Sequence, residues 1–465
     1  MKRSPRDREL TSEGLVRGLG RWDATFLTIG SAVGTGIFIT TADIARVLPH
    51  QGLILAVWAI AGVLSLAGAL TYAELGAMFP RAGGMYLYLR EAYGPFCGFL
   101  FGWASFLIIM SGGIAAIAVA FGEYLGSFAP FFAMDNILLS VPVGPWTWTL
   151  AGGQVAAALA ILALTAVNYV GLREGAGVQN FLTVFRIGAV VAFAVLAFAV
   201  EARGSVSLLG PLPDVPLLAG LGIAMIAALW TYDGWYGPTF SAGEMRDPQR
   251  TLPLGLVWGV LIVMVLYALV NLVYVRALTL PEMAASRRIA ETAAIALVGP
   301  GGGRLVSFAV LVSTFGCLSA TILYSSRIYL PMARDGAFFR SLAVVHPRFH
   351  TPGRSLWAQS LWGTVLALTG TYEQLYTYVI FAMLLFHVAT AGAVIVLRRR
   401  RPDAPRPYRV LGYPWVPVLF LLASLLLLGN TLAEKPVESM LGLALLAAGV
   451  PAYLWWRRRG RAQAF

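Results

Sequence analysis

Apolar residues in this chain occur in long, nearly unbroken runs and not in alternation with polar residues. An α-helix needs about 20 mostly apolar residues to cross the hydrocarbon core of a bilayer. Runs near that length recur along the whole sequence, separated by short polar or basic segments. The pattern therefore predicts an all-α integral membrane protein with 12 transmembrane helices. The predicted spans are 24–48, 52–79, 95–125, 154–171, 178–200, 216–240, 252–275, 302–333, 355–371, 373–397, 412–431 and 438–456.

Two of these runs are interrupted near the middle. The first contains GSAVGTG at 30–36, and the sixth contains WTYDGWYG at 230–237. A glycine weakens a helix interior by about 1 kcal/mol relative to alanine. Unpaired backbone groups are costly in lipid, so a broken helix there needs other partners for its amides and carbonyls. We predict discontinuous helices at spans one and six.

Matching breaks in the first and sixth spans indicate an internal repeat of five spans. Because five is odd, the second copy must run inverted across the bilayer, as in inverted-repeat transporters. The predicted repeats are 24–200 and 201–397, followed at 398–456 by a basic loop and spans eleven and twelve. The segments 1–23 and 457–465 are predicted to be tails.

A broken helix at membrane depth offers two kinds of binding group. The half that begins there presents unpaired N–H groups and a positive dipole end, which favour a carboxylate. The half that stops there presents unpaired carbonyls, which suit an ammonium group. An amino acid zwitterion satisfies both ends.

Composition and charge fit a membrane protein. Hydrophobic residues make up 58% of the chain and charged residues 12%, against about 25% charged in soluble domains. The net charge of +12 comes from arginines concentrated in loops on one side, including 398–401, whereas the loop 126–153 has no Lys or Arg. The positive-inside rule places both termini in the cytoplasm, in a bacterial-type inner membrane. The loop 276–301 holds arginines on the other side, and its spacing predicts a surface helix.

The charge pattern thus reflects topology and not a nucleic-acid partner. The two cysteines, Cys97 and Cys317, lie in apolar runs, and the four histidines lack metal-ligand spacing. A membrane enzyme would need clustered nucleophiles or metal ligands, and a receptor would usually carry a sizeable soluble domain. A channel would need a filter motif. None of these features is recognisable in the sequence. We therefore expect a transporter without metal or cofactor, and not an enzyme.

Several ordered motifs resemble one transporter family. GSAVGTGIF (30–38) and TYAELGAMFPRAGGMYLYLREAYGP (71–95) are similar to segments of the amino acid–polyamine–organocation transporters. TYDGWYGPTFSAGEMRDPQRTLP (231–253), STFGCLSATILYSSRIYLPMARDG (313–336) and RRRRPDAPRPYRVLGYPWVP (398–417) resemble the L-type amino acid transporter branch. The resemblance implies a LeuT-type fold and transport of L-amino acids, often by obligatory exchange.

The resemblance also implies a substrate site at the two breaks. Trp230 corresponds to the aromatic that closes over the substrate from outside. The small residues Ser111, Gly112 and Gly113 lie where the side chain of the substrate points. The family's carboxylate site corresponds to Ser31, Val33, Gly34, Thr35 and Gly36, and its ammonium site to Ile29 and the carbonyls near Trp230, Thr231 and Asp233. Gly234, beside Asp233, is also expected to bind substrate.

Asp233 has two open interpretations. An ionised aspartate in mid-bilayer is costly, so it should face a partner or a cavity. It either caps the half-helix that starts near 234–235 or reads a cationic group of the substrate. The motif leaves both open.

Arg186 is a charged residue eight positions into the fifth span, and the L-type branch carries a lysine there. The resemblance implies a fixed cation that replaces a sodium ion and binds carbonyls freed at the first break. Arginine effectively cannot lose its proton, whereas a buried lysine can. Arginine here therefore favours exchange over proton coupling through this site.

Glu74 is expected to pair with Arg81 or Arg334 in an inner gate. Animal members of the branch bind an ancillary protein through a cysteine in the loop after the third span. The corresponding loop 126–153 has no cysteine, so we expect no disulfide-linked subunit, and a monomer or weak homodimer.

We therefore expect a secondary active transporter that exchanges neutral L-amino acids by alternating access, without sodium. The alternative is a proton-coupled transporter, or a transporter of cationic amino acids or polyamines, with the same fold. Asp233 is the main argument for it.

Overall fold

The computed structural model describes residues 14–143, 146–170, 172–201, 210–370 and 372–462, so the predicted tails 1–23 and 457–465 lie partly outside the described residues. The described chain is mostly helical, with one two-stranded sheet, β1 (Ile137–Val143) and β2 (Trp146–Ala151). The helices are α1 (Arg21–Ala32), α2 (Thr40–Val47), α3 (Gln51–Met78), α4 (Met85–Tyr93), α5 (Pro95–Ala104), α6 (Met110–Leu125), α7 (Gly152–Val170), α8 (Leu172–Ala199), α9 (Leu217–Tyr232), α10 (Pro248–Ala277), α11 (Leu280–Ala285), α12 (Ile289–Val298), α13 (Pro300–Arg334), α14 (Gly353–Thr369), α15 (Tyr372–Arg400), α16 (Trp415–Glu434) and α17 (Pro436–Ala462).

Ten helical segments of the described chain are long and apolar enough to cross a membrane. Each coincides, within a few residues, with one of the predicted spans. The first predicted span is not among them because it is divided between α1 and α2. The ninth forms α14, which has only 17 residues. The architecture is therefore that of a helical, multi-pass membrane protein.

Both glycine-containing interruptions coincide with a change of helix type. In the first run, α1 ends at Ala32, a 3-10 turn covers Gly36–Phe38, and α2 begins at Thr40. In the sixth run, α9 ends at Tyr232 and a 3-10 helix covers Gly237–Glu244. The regular backbone hydrogen bonding of each run therefore stops where the glycines lie.

Gly234 shows why the second interruption requires glycine. Its φ of +93° lies in a region that other residues rarely adopt. A Cβ atom at this position would lie 2.5 Å from the carbonyl oxygen of Ser31. Glycine therefore permits both the backbone conformation and the close approach of the two interrupted segments.

A β-hairpin occupies most of the loop 126–153, to which the sequence analysis assigned no structure. β1 pairs antiparallel with β2. The sequence feature that indicates β2 is the alternation in WTWTL (146–150), because a period of two is typical of a strand. The Trp148 indole N–H donates to the carbonyl of Leu368 at 3.1 Å, which anchors the hairpin at the end of α14.

The loop 276–301, predicted as one surface helix, forms two short helices, α11 and α12. Arg46, in the last turn of α2, donates from Nε to the Ala284 carbonyl at 2.7 Å and from Nη2 to the Ser286 carbonyl at 2.9 Å. These bonds connect α2, the second half of the first run, to the loop 276–301.

A buried ion pair joins the second interrupted segment to α13. Arg327 donates from Nε and Nη2 to the two carboxylate oxygens of Glu244, at 2.9 and 3.1 Å. Both side chains are fully buried. The carbonyl of Glu244 also accepts the amides of Gly18 and Leu19 at 2.9 and 3.0 Å. The side chain of Glu244 therefore connects the end of the sixth run to α13, and its backbone carbonyl connects it to the segment before α1.

Glu244→Gln should destabilise the protein strongly, because it leaves the Arg327 guanidinium buried without its counter-charge. Removal of one partner of a buried pair costs about 3–5 kcal/mol. Thermal and SDS-induced unfolding in detergent would measure the loss. The control is Arg250→Gln, whose side chain is 86% exposed and whose partner Asp247 lies 4.0 Å away. That variant should change stability by less than about 1 kcal/mol. Equal effects of the two variants would contradict the fastening role of the buried pair.

Candidate functional site

The two interrupted segments border one cavity of about 460 Å³. Its remaining walls come from α6 and α13 and from the turn before α6. Eight of the residues predicted for the substrate site line it: Ser31, Gly34, Thr35, Gly36, Trp230, Thr231, Asp233 and Gly234.

Direct hydrogen bonds hold the two interruptions together. The Ser31 hydroxyl donates to the carbonyl of Gly234 at 2.9 Å. The hydroxyls of Thr40 and Thr231 lie 2.7 Å apart. The Tyr267 hydroxyl lies 2.8 Å from the Ala32 carbonyl and 2.7 Å from the Thr231 carbonyl. Tyr267 on α10 therefore bridges the ends of α1 and α9.

The backbone beside the cavity offers both donors and acceptors. Thr35 and Gly36 stand at the N-terminal end of the 3-10 turn, where amides have no partner within the turn. These amides suit an anion such as a carboxylate. On the opposite side, the carbonyl of Trp230 accepts the amide of Asp233 at 3.1 Å. A carbonyl oxygen has two lone pairs, so it retains capacity for a further donor.

Four predicted site residues lie outside this cavity. The Ile29 carbonyl accepts the amide of Val33 at 2.8 Å, and neither residue lines the cavity. The Ser111 hydroxyl points away, to the carbonyl of Phe106 at 2.7 Å, and Gly112 is also absent from the walls. The α6 glycine that borders the cavity is Gly113.

The α13 wall of the cavity was not predicted from the sequence. Cys317, Thr321 and Tyr324 line it, and the thiol of Cys317 donates to the carbonyl of Ser31 at 3.3 Å. Their spacing of four and three residues places them on one face of a helix. That spacing within the motif 313–336 was the available signal.

The Asp233 carboxylate is engaged within its own segment. Its Oδ2 atom accepts the Tyr236 hydroxyl at 3.0 Å. This contact joins two side chains, and the 3-10 helix that follows has no side-chain cap. Both interpretations of Asp233 therefore stay predictions. Because the side chain also lines the cavity, a cationic group there would lie close to it.

Arg186 lies fully buried between α1 and α13. Its Nη1 donates to the carbonyl of Gly30 at 2.8 Å and its Nη2 to the carbonyl of Ser313 at 2.6 Å. The Gly30 carbonyl lacks its helical partner, because the amide of Gly34 bonds to Ala32 instead. Within the described residues, no carboxylate forms an ion pair with Arg186. Backbone carbonyls are thus the observed partners of its charge.

The expected pairing of Glu74 with Arg81 or Arg334 is wrong. Arg398 donates to both Glu74 carboxylate oxygens, at 2.9 and 2.6 Å, and Arg406 lies 3.5 Å away. The physical reason is that the loop after α15 folds back onto the end of α3. Its Val410 amide also donates to Glu74, at 2.8 Å.

A second charge network lies outside the spans, around α4. Arg90 and Arg401 each donate to the Glu91 carboxylate at 3.0 Å, and Arg90 also contacts Asp335. Although partial burial opposes ionisation, the hydrogen bonds from Arg90 and Arg401 hold the pKa of Glu91 below its ordinary value. The network connects α4 with the ends of α13 and α15.

The described part of the chain contains no group of three or more His, Cys, Asp or Glu side chains suited to hold a metal ion. The residues that line the first cavity offer backbone groups, hydroxyls, the Cys317 thiol and the Asp233 carboxylate for binding.

Comparison with known proteins identifies the family. The sequence profile described as "Amino acid permease" matches residues 19–444, which is most of the chain. The serine/threonine exchanger SteT of Bacillus subtilis (strain 168) is 31% identical over 449 residues, covering 96% of this chain and 98% of that protein.

Two mammalian proteins are similar to nearly the same extent. The large neutral amino acids transporter small subunit 2 of Mus musculus is 30% identical over 457 residues, covering 96% of this chain and 82% of that protein. The b(0,+)-type amino acid transporter 1 of Homo sapiens is 30% identical over 437 residues, covering 94% of this chain and 86% of that protein.

Arg186→Lys should destabilise the protein, because a single ammonium group lacks the planar fork that reaches two carbonyls. A buried carbonyl left without a partner costs about 1–3 kcal/mol. SDS-induced unfolding would measure the change. The control is Arg276→Lys, because Arg276 also binds two carbonyls, those of Ala197 and Val200, but at a less buried site. A larger loss in Arg276→Lys than in Arg186→Lys would contradict the interpretation.

Proposed function

Because this chain belongs to the amino acid permease family, we propose that it exchanges neutral L-amino acids across a membrane without sodium, by alternating access. The family and the relatives make the chain an amino acid transporter of a membrane, not an enzyme. The finer proposal concerns the substrate, the coupling and the mechanism.

The observation that carries this proposal is the cavity between the two interruptions. Thr35 and Gly36, at the N-terminal end of the 3-10 turn, line it on the first segment, and Trp230 and Thr231, in the last turn of α9, line it on the second. A zwitterion that bridges them has its carboxylate on the first segment and its ammonium on the second. Apolar wall residues, including Ile109 and Ile117, favour a neutral substrate side chain.

The proposed fold is LeuT-type, with 12 spans, a five-plus-five inverted repeat and discontinuous helices one and six. The similar position of the interruptions in the first and sixth runs supports it. We propose a bacterial-type inner membrane with both termini cytoplasmic, in line with the basic loops. We also propose a monomer or weak homodimer without a disulfide-linked subunit, since the loop 126–153 has no cysteine.

In the proposed cycle, the substrate bridges the two segments and Trp230 closes above it. The segments around the two breaks then rock against α6, α7, α13 and α14. Arg186 acts as a fixed cation in place of a coupling ion. Glu74, paired with Arg398, belongs to the inner gate.

A second candidate function rests on Asp233. Because this carboxylate lines the cavity, a proton or a cationic substrate group would find an acceptor there. The alternative is therefore a proton-coupled transporter, or a transporter of cationic amino acids or polyamines.

Uptake of labelled L-amino acids into proteoliposomes tests the coupling. Uptake should require unlabelled amino acid inside the vesicles, since an exchanger cannot complete its cycle empty. Imposed sodium or proton gradients should change neither rate nor extent. Accumulation in empty vesicles under a proton gradient would contradict exchange and favour the alternative.

Gly34→Val should lower exchange at least tenfold while the protein still folds, because the added side chain enters the cavity. Even a Cβ at Gly34 would lie 3.0 Å from the Cys317 sulfur. The matched control is Gly188→Val on α8, where an added Cβ meets no atom within 4 Å and which lies outside the cavity. Both variants would be compared for exchange and for elution as a single species. Normal substrate affinity in Gly34→Val would argue against the assigned site.

A further inference from the structure

A second cavity, of about 430 Å³, borders the interruption of the sixth run. Side chains of α3, α9, α15 and α16 enclose it, together with the residues that follow α9. Among the described residues that line the two cavities, Asp233 alone lines both. The second cavity is therefore a separate space that reaches the same carboxylate.

The second cavity contains a polar group without a partner. Ser65, on α3, is only 2% exposed, and its hydroxyl has no hydrogen-bond partner within the described structure. The other serine of this cavity, Ser424, donates to the carbonyl of Phe420 at 2.7 Å. A buried polar group without a partner is destabilising, because it has lost its hydrogen bonds to water. A molecule in the cavity that bonds to Ser65 would remove that cost.

The remaining polar groups determine which molecule fits. Asp233 supplies a carboxylate, of which the Oδ2 atom already accepts the Tyr236 hydroxyl. His387 has its Nδ1 atom engaged, 2.7 Å from the Tyr72 hydroxyl. No Lys or Arg is among the described residues that line this cavity. It therefore offers acceptors to a cation but no cationic partner to a carboxylate.

The rest of the wall is apolar. Leu64, Ile380, Leu384 and Phe420 are among its apolar residues. Burial of an apolar body against such a surface is favourable, because it removes apolar area from water. A ligand with one cationic head and an apolar body matches this distribution of polar and apolar groups.

We infer that the second cavity binds small primary amines with an apolar body and no carboxylate. The ammonium group lies between Asp233 and Ser65, and the body lies against Leu64, Ile380 and Phe420. Because the amine engages the carboxylate that also faces the first cavity, its binding restrains the segment after α9 and slows transport. Only this effect on transport rests on the proposed exchange function, since binding does not require exchange.

Calorimetric titration of the full chain in nanodiscs with phenethylamine tests the site. Ser65→Leu fills the second cavity and should weaken binding at least tenfold. Gly113→Leu extends into the first cavity, since an added Cβ there meets no atom within 4 Å, and should change the affinity less than threefold. If Ser65→Leu does not fold, Leu384→Trp serves as the second filling variant, with the same expected loss.

Three results would overturn the inference. The reverse pattern, with loss only in Gly113→Leu, would place the amine in the first cavity. Equal affinity in all variants would place it elsewhere. Absence of binding at millimolar phenethylamine would mean that the second cavity does not bind small primary amines.

The transport assay separates this inference from the proposed function. Phenethylamine should lower the maximal rate of exchange without raising KM, and Ser65→Leu should abolish that effect. A rise in KM alone would indicate competition in the first cavity and contradict the inference. If the wild-type protein binds phenethylamine as expected but does not exchange amino acids, the proposed function fails and the binding site stands.

Discussion

The contact between the two interrupted segments is the constraint on which the rest of the site depends. A helix that stops within a membrane leaves amides and carbonyls that lipid cannot satisfy. Here each interruption supplies part of what the other lacks, because the Ser31 hydroxyl binds the Gly234 carbonyl and Tyr267 contacts carbonyls at the ends of α1 and α9. Both interrupted segments also border one cavity, so the two helix ends meet around the same space.

The buried charges fasten these segments to α13. Arg186 binds a carbonyl of α1 and the Ser313 carbonyl of α13, and Glu244, at the end of the sixth run, pairs with Arg327 of α13. The same helix supplies one wall of the cavity. α13 therefore contacts both interrupted segments and borders the cavity between them. In the proposed cycle, such a helix is suited to stay in place while the two segments move against it. Loss of either charge should therefore affect the position of a segment as well as stability.

Most of the long helices could be predicted from sequence, because apolar length is a local signal. The discontinuity of the first and sixth spans stays a prediction, although the helix type changes at both glycine clusters. The partner of Glu74 could not be predicted, because Arg398 lies 324 residues away and the contact depends on how a loop folds back. Of the run Ser111, Gly112 and Gly113, which was expected to face the substrate side chain, Gly113 is the member that borders the cavity in the described structure. One residue turns a helix surface by about 100°, and the π-helical turn Ser105–Ile109 alters the register before α6. Sequence pattern alone does not fix such a rotation.

The central claim is that an amino acid bridges the two interrupted segments. The most direct measurement is an electron cryo-microscopy map of the full chain in nanodiscs, recorded without ligand and with saturating L-serine and L-leucine in turn. Our account predicts ligand density with the carboxylate at the amides of Thr35 and Gly36 and the ammonium at the carbonyl end of α9. Ligand density elsewhere, with the space between the segments unchanged, would contradict it.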